Sequence, residues 1–341
     1  MEDLMQTTFE QEQTILWSLL HEPGDALARL IFEQRGIAAL ADFKDRTAPS
    51  IWPDLVPVEY RNQIPEIIER IKLRLPHRNE IAVIERAIRW NARPLFASDA
   101  PKLFERLSDL YPHDPYLLWV AGDVSFLEQE TVAIVGARKP SDVGLSNTAR
   151  LVAKLNRPVI SGGAIGIDSA AHNAALARGL KTAAFMAGGL DRAYPQSNWE
   201  LFHRIVQEGG AMISEVACQT APTSFRFLQR NRLIAACASA TYVVEAGFRS
   251  GSRNTASHSR QLGRGTYAVA GPGTFPPAAG CNYLISLGIA DPIWLGEIPK
   301  NHPAQIKRRI DDAILNGAKT SEEIARESGV SLRDVQGILA R

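Results

Sequence analysis

The sequence is poor in cysteine, in long apolar runs and in net charge, and each shortage excludes a class of protein. Its 341 residues contain three cysteines, Cys218, Cys237 and Cys281. Their wide spacing, with no CxxC pattern, argues against a disulfide framework or a zinc site and favours a reducing cytoplasm. No apolar stretch reaches the ~18 residues that span a bilayer, and the acidic N-terminus does not resemble a signal peptide. We expect a cytoplasmic protein with no membrane association and no metal site.

The formal net charge is only +1, but the charge is unevenly distributed. The window from Arg226 to Arg264 holds one acid, Glu245, and seven arginines, at positions 226, 230, 232, 249, 253, 260 and 264. Arginine grips phosphate with two parallel hydrogen bonds, so this window favours a partner with many phosphates. Phe225 and Phe227 lie beside the arginines, where aromatic rings can stack on unpaired bases. For Phe227 we favour a place in the hydrophobic core.

The spacing of apolar residues changes along the chain. Residues 1–75 carry apolar residues at helical spacing, and residues 76–124 mix one helix with extended pieces. From Thr131 onward, short apolar runs alternate with helical segments, as in "TVAIVGA", "RPVISGG", "KTAAFMAG", "GAMISEVA", "ATYVVEAG" and "GTYAVAGP". Such runs are typical of strands covered on both faces. We therefore predict an α/β fold with a doubly wound, mostly parallel sheet over residues 125–296.

The last part of the chain predicts a small helical segment. Residues 297–305 have the composition of a linker, and residues 306–341 contain two capped helices joined at Gly329. Thr320 with Glu323, and Ser331 with Asp334, have the spacing of capping boxes. The pattern is that of a helix–turn–helix without the strands of a complete winged helix. A helical cap or a dimer contact remains an equally good interpretation.

Three predicted strand-to-helix corners are rich in small and hydroxyl residues. They read "VGARKPSDVG", "ISGGAIGIDSAAH" and "VVEAGFRSGSRNTA". Free N–H groups at a helix start favour an anion, and three such corners in one sheet favour a ligand with phosphate groups. None of them has a dinucleotide-binding fingerprint or a Walker A sequence.

The sequence offers no convincing catalytic constellation and implies no cofactor. We expect Asp168 to be an acid in the first turn of a helix and His172 to form a hydrogen bond within the domain. Arg138 and Arg230 are not expected to be part of the core. The chain is interpreted as a protein that binds rather than one that reacts.

Many separate motifs resemble, in order and spacing, those of the DNA-processing protein A family (DprA, also called Smf). They include "GARKPS", "SGGAIGID", "GGLDRAYPQSN", "QRNRLIA" and "GCNYLI", and they extend over about residues 111–296. "WSLLHEPGD" further resembles actinobacterial members. The sequence departs from the family at Val143, where tyrosine is frequent, and at Leu228 and Ala270, where proline is frequent. It also lacks the N-terminal "GIG" hairpin of many members.

The resemblance implies an extended Rossmann-like domain that binds single-stranded DNA. It also implies a homodimer that loads the RecA recombinase during natural transformation and homologous recombination, with no enzymatic activity. The pocket of the family maps onto Gly136, Arg138, Ser161, Gly162, Gly163, Arg230, Asn231 and Arg232. The corners and the arginine-rich window add Ser141, Arg226, Ser250, Gly251 and Ser252 to the candidate DNA-binding residues.

Two functions from other classes compete with this interpretation. The first is a Rossmann-like enzyme that hydrolyses nucleoside monophosphates. Such enzymes carry "PGGxGTxxE", whereas this chain has "EAGFRSGSRNTA", without the second glutamate. The other is a regulator that binds duplex DNA through the C-terminal helices.

Overall fold

The computed structural model describes residues 7–192, 194–248, 250–295 and 303–340. The chain divides into two compact units, Met1–Ile293 and Trp294–Arg341. The larger unit contains a sheet, the helices that cover it and an N-terminal group of helices. The smaller unit is helical in its described part.

One nine-stranded sheet forms the centre of the larger unit, in the order β1-β2-β6-β5-β4-β3-β7-β8-β9. Strands β3 to β9 pair in parallel, whereas β1 pairs with β2, and β2 with β6, in antiparallel fashion. The strands are β1 (Ala92–Leu95), β2 (Leu118–Gly122), β3 (Val132–Val135), β4 (Val159–Ser161), β5 (Thr182–Met186), β6 (Ala211–Ser214), β7 (Ala240–Val243), β8 (Gly265–Val269) and β9 (Asp291–Ile293). The six strands predicted from the apolar runs correspond to β3 through β8.

Two strands, β1 and β2, come from the segment predicted to be a connection. Leu118 to Ala121 are buried, because β2 is covered on both faces and pairs with β6 on one side and β1 on the other. The predicted boundary at residue 125 is therefore wrong, and the sheet region begins at residue 92. The misassignment arose because β1 and β2 are separated by a helix and a proline-containing turn, which hides their pairing in the sequence.

Helices cover both faces of the sheet, as expected for a doubly wound fold. One face packs against α8, α12, α13 and α14, and the other packs against α10 and α11 together with α1 and α7. The covering helices are α8 (Pro101–Ser108), α9 (Asp142–Leu155), α10 (Ile167–Leu176), α11 (Trp199–Gln207), α12 (Ser224–Cys237), α13 (Ser252–Gln261) and α14 (Ala279–Ser286). The predicted α/β class is confirmed.

The N-terminal helices have a hydrophobic core of their own, centred on Trp17, Trp52 and Ile67. They are α1 (Phe9–Leu20), α2 (Ala26–Arg35), α3 (Ala38–Lys44), α4 (Ala48–Ile51), α5 (Val58–Arg61), α6 (Ile64–Arg74) and α7 (Glu80–Arg89). The turn between α1 and α2 packs closely against α12. A Cβ atom on Gly24 would lie 2.6 Å from Oε1 of Gln229.

The order of the strands reverses between β3 and β7. Strands β4, β5 and β6 follow β3 on one side, whereas β7, β8 and β9 extend the sheet on the other. Connections on the two sides pass over opposite faces, so the carboxyl ends of β3 and β7 open into a crevice. In sheets of this kind ligands bind at that point.

The smaller unit contains α15 (Pro303–Leu315), α16 (Ser321–Ser328) and α17 (Leu332–Leu339), packed around Ile310, Ile324 and Val335. The two predicted helices are confirmed, and Gly329 joins them at φ 60°. Thr320 and Glu323 form the predicted capping box. Ser331 caps α17 by accepting from the Asp334 N–H at 3.1 Å, and its hydroxyl donates to the Asp334 carboxylate at 2.6 Å. Residues 297–302 of the predicted linker lie outside the described residues, and residues 303–305 are helical.

The described helices include none that is long and apolar enough to cross a membrane. The three cysteines are buried and unbonded to one another. Across the described ranges, no group of three or more histidine, cysteine or acidic side chains is arranged to hold a metal ion.

Candidate nucleic-acid interface

A cleft of about 950 Å³ opens at the carboxyl ends of β3 and β7. Its walls are the turn after β3, the first turns of α12 and the start of α13. Ser224, Phe227, Leu228 and Asn231 all line it, because residues three and four apart lie on one face of α12. The cleft therefore occupies the switch point of the sheet, where three of the candidate segments meet.

Arg138 presents its guanidinium group to this cleft. The side chain is exposed, and its Cζ lies 5.5 Å from the centre of the Phe227 ring. Tyr194 meets the same ring edge-on at 5.5 Å between ring centres, and it is 48% exposed. Within the described ranges Arg138 makes no ion pair with an acid. Arg138, Phe227 and Tyr194 thus form a cationic and aromatic surface that can contact phosphate and base.

Phe227 is not a core residue, contrary to the prediction. Its side chain is half-buried, and it lines the cleft because the first turns of α12 extend past the carboxyl ends of the strands. Further along the same helix, Leu233 and Ile234 are buried. A pattern of helical periodicity predicts which side of a helix is apolar, but not where the sheet beneath it ends.

Arg230 lies beneath the cleft and is only 7% exposed. Its Nη1 donates to the carbonyl oxygens of Gly162, at 2.7 Å, and of Phe185. Burial lowers the pKa of Arg230 to about 10, although the carboxylate of Asp168 acts in the opposite direction. The expectation that Arg230 lies outside the core is wrong. Gly162 is required here, because a Cβ atom would lie 2.8 Å from Cζ of Arg230.

In the second corner, the loop after β4, the side chain of Asp168 occupies the place where a phosphate was expected. Asp168 lies in the first turn of α10, as predicted. It is also buried, and its carboxylate accepts from the Ala164 N–H at 3.4 Å. Burial raises the pKa of Asp168, while the charge of Arg230 and hydrogen bonds from Ala164, Gly136 and Gly162 oppose that rise. This loop therefore binds a side-chain carboxylate at the place where a phosphate was expected.

Ser161 and Gly163 of the same corner are turned away from the cleft. Ser161 is fully buried, and its hydroxyl donates to the carbonyl oxygen of Ile134 at 2.6 Å. Gly163 has φ +65°, and a Cβ atom there would lie 2.7 Å from the Phe202 ring. The hydroxyl of Ser161 links β4 to β3 inside the sheet, so it does not face the cleft, and a DNA contact of this residue stays a prediction.

The first corner is also occupied by a carboxylate. Glu245, only 4% exposed, accepts from the N–H of Ser141 at 3.1 Å and from its hydroxyl at 2.8 Å. Ser141 Oγ in turn accepts from the Gly144 N–H at 3.1 Å and so caps α9. Ser141 is thereby committed to a structural contact, and Gly136 at the end of β3 leaves room for the carbonyl of Glu245.

The third corner differs from the other two. Helix α13 begins with Gly251 at the N-cap position, which has no side-chain cap, and the Ser252 N–H is bonded to Ser250 Oγ at 3.3 Å. Asn231 connects this corner to α12 by donating to Asn254 Oδ1 at 3.2 Å. Among the described residues no carboxylate accepts a hydrogen bond from this helix start. The start of α13 is thus the corner at which the positive end of a helix faces the cleft without a bound carboxylate.

The arginine-rich window does not form one basic face. Arg226 is paired with Glu22 at 2.9 Å, Arg232 with Glu215 at 2.7 Å, and Arg264 with Asp109 at 2.6 Å. Arg226 and Arg232 each pair with an acid of another segment, so their charge is shared, and their predicted contacts with DNA stay predictions. Arg249 lies outside the described residues.

Several cleft residues were missed from the sequence, namely Lys139, Tyr194, Ser224 and Leu228. Lys139 follows Arg138 directly, and that adjacency could have identified it. The expectation for His172 is confirmed, since its Nδ1 lies 2.7 Å from Thr182 Oγ1 inside the domain.

Comparison with known proteins gives a consistent result. Residues 95–298 match the sequence profile of the family described as DNA recombination-mediator protein A. The chain is 40% identical over 253 residues to the putative DNA processing protein DprA of Mycobacterium tuberculosis, a match that covers 67% of this chain and 65% of that protein. It is 36% identical over 194 residues to the DNA processing protein DprA of Streptococcus pneumoniae, covering 54% of this chain and 68% of the relative.

Two solved structures extend the comparison to the fold. The X-ray structure of DprA from Streptococcus pneumoniae superposes with a TM-score of 0.64 and 26% identity, over 85% of this chain and 95% of that one. DprA from Helicobacter pylori, whose structure concerns the single-stranded DNA binding mode of that protein, gives a TM-score of 0.52 and 30% identity. That match covers 59% of this chain and 90% of the Helicobacter chain. With its profile match, its relatives and its fold in agreement, the chain belongs to the DNA recombination-mediator protein A family.

Proposed function

We propose that this protein binds single-stranded DNA in the cleft at the switch point and acts as a recombination mediator in the cytoplasm. The observation that carries the proposal is the exposed Arg138 guanidinium against the Phe227 ring, beside the start of α13 without a bound carboxylate. The guanidinium and the helix start supply two positive groups for neighbouring phosphates. The aromatic rings supply a surface for a base.

The exposed aromatic rings favour a single strand over a duplex. Tyr194 and Phe227 meet edge-on at the cleft, and Tyr194 presents half of its surface to solvent. A ring can stack on a base only when that base is not already stacked within a double helix. Family membership and the single-stranded DNA binding mode reported for the Helicobacter pylori protein support the same choice.

A titration with three ligands tests the proposal. Fluorescence anisotropy with oligo-dT, with a duplex of equal length and with AMP as competitor separates the three functions considered. We expect binding of oligo-dT that weakens as salt rises from 50 to 300 mM, because phosphate contacts release counterions. Equal affinity at both salt concentrations would contradict the proposal. Preference for duplex would favour the helix–turn–helix regulator instead.

We further propose that the protein works as a homodimer that loads RecA. Single-stranded DNA held in the cleft leaves the helices on both faces of the sheet available for protein partners. The test follows the DNA-dependent ATPase activity of RecA on DNA covered by single-strand binding protein, with sedimentation to measure the oligomeric state. We expect faster onset of ATP hydrolysis and a mass of two chains. No acceleration with the matching RecA would overturn the mediator role.

The competing enzyme hypothesis has little support in the cleft. Hydrolysis of a nucleoside monophosphate needs a carboxylate free to act on the sugar or on water. Glu245 is committed to the N–H and hydroxyl of Ser141, and Asp168 is held by the loop after β4. We therefore propose a binding protein without enzymatic activity. Release of base or phosphate from AMP by the purified protein would reverse that conclusion.

A further inference from the structure

A second cavity, of about 240 Å³, lies between the N-terminal helices and the sheet region. Its walls come from the turn between α1 and α2, from α6 and α7, and from the segment that follows β6. Helix α12 separates it from the cleft: Phe227 lines the cleft, whereas the neighbouring Arg226 lines this cavity. The cavity is therefore a separate site that shares one helix with the DNA cleft.

Four arginines and one shared glutamate dominate the cavity. Glu22 accepts from Arg74 at 2.9 Å and from Arg226 at 2.9 Å, so its carboxylate is fully used by two guanidinium groups. Arg78 and Arg86 also line the cavity, and among the described residues neither has an acid partner within ion-pair distance. Burial and the charges of Arg74 and Arg226 lower the pKa of Arg78. Positive charge is thus in excess at this place.

The other acids of the cavity wall do not compensate for that excess. Asp25 is paired with Arg70, Asp114 with Arg29 at 3.0 Å, and Glu215 with Arg232 at 2.7 Å. Each of these carboxylates is therefore already paired with an arginine other than Arg78 and Arg86. Counting the wall, these partners and Glu33, which also pairs with Arg29, seven arginines face five carboxylates.

A buried donor without a partner points to the same kind of ligand. Nδ1 of His21 lies 3.2 Å from Nη2 of Arg70, and because a guanidinium can only donate, Nδ1 is the acceptor. Burial lowers the pKa of His21 well below its usual value, so the ring is neutral and its proton resides on Nε2. That N–H is buried and has no acceptor within the described ranges. A donor of this kind is satisfied by an oxyanion or by water.

We propose that this cavity is a phosphate-binding site, at which a phosphoryl group is held by Arg78 and Arg86 beside the Arg74–Glu22–Arg226 cluster. Guanidinium groups bind phosphate oxygens with paired hydrogen bonds, which suits a cavity of this size and charge. Arg78 and Arg86 belong to the N-terminal group of helices, whereas Arg226 belongs to α12, which covers the sheet. A bound phosphoryl group would therefore link the N-terminal helices to α12. The phosphate can belong to a DNA strand that passes over α12 or to a small phosphorylated ligand.

Calorimetry of the full-length protein with inorganic pyrophosphate tests the site. The test variant is Arg78→Gln/Arg86→Gln, and the control is Arg61→Gln/Arg89→Gln, which removes equal charge from exposed positions outside the cavity. We expect pyrophosphate affinity to fall at least tenfold in the test variant and to stay unchanged in the control. Circular dichroism checks that both variants remain folded. No binding by the wild-type protein, or equal binding by both variants, would overturn the proposal.

Two further titrations show whether pyrophosphate binds in this cavity or in the DNA cleft, and which kind of molecule supplies the phosphate. Arg138→Gln should retain the pyrophosphate affinity; if it abolishes that binding, pyrophosphate occupies the cleft and the proposal is wrong. If prior saturation with a long oligo-dT blocks pyrophosphate binding, the result supports the site and identifies its ligand as a phosphate of DNA. If pyrophosphate affinity is unchanged after saturation with oligo-dT, the result supports the site and identifies its ligand as a small phosphorylated molecule. Because the first titrations measure pyrophosphate binding without DNA, failure of the proposed DNA function would leave their result intact.

Discussion

Two arginines of the cleft, Arg138 and Arg230, have the same chemistry but different surroundings. Arg138 is exposed and lies over the Phe227 ring, whereas Arg230 is 7% exposed and bonded to two carbonyl groups. We expect Arg138→Gln to weaken binding of single-stranded DNA by about 1–3 kcal/mol, because it removes a charge-assisted hydrogen bond to phosphate. Its free energy of unfolding should change by less than about 0.5 kcal/mol, as for other exposed positions. Anisotropy and urea denaturation measure the two quantities.

Arg260→Gln is the matched control for that variant. It removes the same charge from the arginine-rich window at an exposed position that does not line the cleft. Its affinity for DNA should stay close to that of the wild-type protein. Equal losses in both variants would mean that the window acts only through its total charge.

Arg230→Met should instead destabilise the fold. The substitution leaves the carbonyl oxygens of Gly162 and Phe185 without their donor and removes the positive charge beside the buried Asp168. We expect a loss of about 3–5 kcal/mol in the free energy of unfolding, the usual cost of uncovering a buried charge. Urea denaturation measures this loss. A variant that unfolds like the wild-type protein would show that the contacts beneath the cleft are dispensable.

His172 makes the stability of the protein sensitive to acid. Thr182 Oγ1 donates to the carbonyl of Val159, so it accepts from Nδ1 of His172, and burial lowers the pKa of this histidine to about 3. The unfolded chain therefore binds a proton below pH ~6.5 that the folded protein does not bind. This contribution to stability is present above that pH and is lost as the pH falls.

His172→Asn keeps a donor for Thr182 but removes the titrating ring. The slope of unfolding free energy against pH below pH 6 should be smaller in this variant, by about 1.4 kcal/mol per pH unit. Urea denaturation between pH 4.5 and 7.5 measures both slopes. Parallel slopes would show that the histidine is protonated in the folded protein.

At the scale of the helices, three helix starts at the switch point belong to the predicted corners, and in the described part of the chain a carboxylate is bound at two of them. Glu245 occupies the start of α9, and Asp168 lies in the first turn of α10. We expect Ser250→Asp to place a third carboxylate at the start of α13. The helix should gain up to about 1 kcal/mol from its dipole. The affinity for single-stranded DNA should fall by about 1 kcal/mol or more, because the new charge repels phosphate.

Opposite signs for stability and affinity make this experiment specific. Ser250→Asn is the uncharged control, since an amide oxygen can still accept from the Ser252 N–H as the serine hydroxyl does. It should bind DNA like the wild-type protein. If Ser250→Asp binds DNA equally well, the start of α13 is not a phosphate contact.

At the scale of the whole molecule, the two units have separate cores. The larger unit is centred on the sheet, and the smaller one on Ile310, Ile324 and Val335. We expect a fragment that ends at residue 295 to keep the melting temperature of the larger unit to within a few degrees. If the cleft alone binds single-stranded DNA, the fragment should also keep its affinity. A tenfold loss would assign a share of the binding to the C-terminal helices.

The sequence allowed the parallel strands β3 to β8 and the helix starts at Thr320 and Ser331 to be predicted, because apolar runs and capping residues are local signals. It did not allow the pairing of Arg226 with Glu22, which lie 204 positions apart. The same limit applies to Ser161, whose burial depends on its neighbour in β3. A charge count within a window of the sequence cannot show which arginines pair with acids from other segments. For this reason fewer of the predicted residues face the cleft than the sequence suggested.

The nine-stranded sheet ends, in the described part of the chain, at β1 and β9, and both of these short strands contain a proline next to a charged residue. They are Arg93–Pro94 in β1 and Asp291–Pro292 in β9. A proline has no amide hydrogen to offer an incoming strand, and a neighbouring charge resists burial. Both edge strands therefore disfavour pairing with a further β-strand. We therefore expect the edges of this sheet to contribute little to association between copies of the protein.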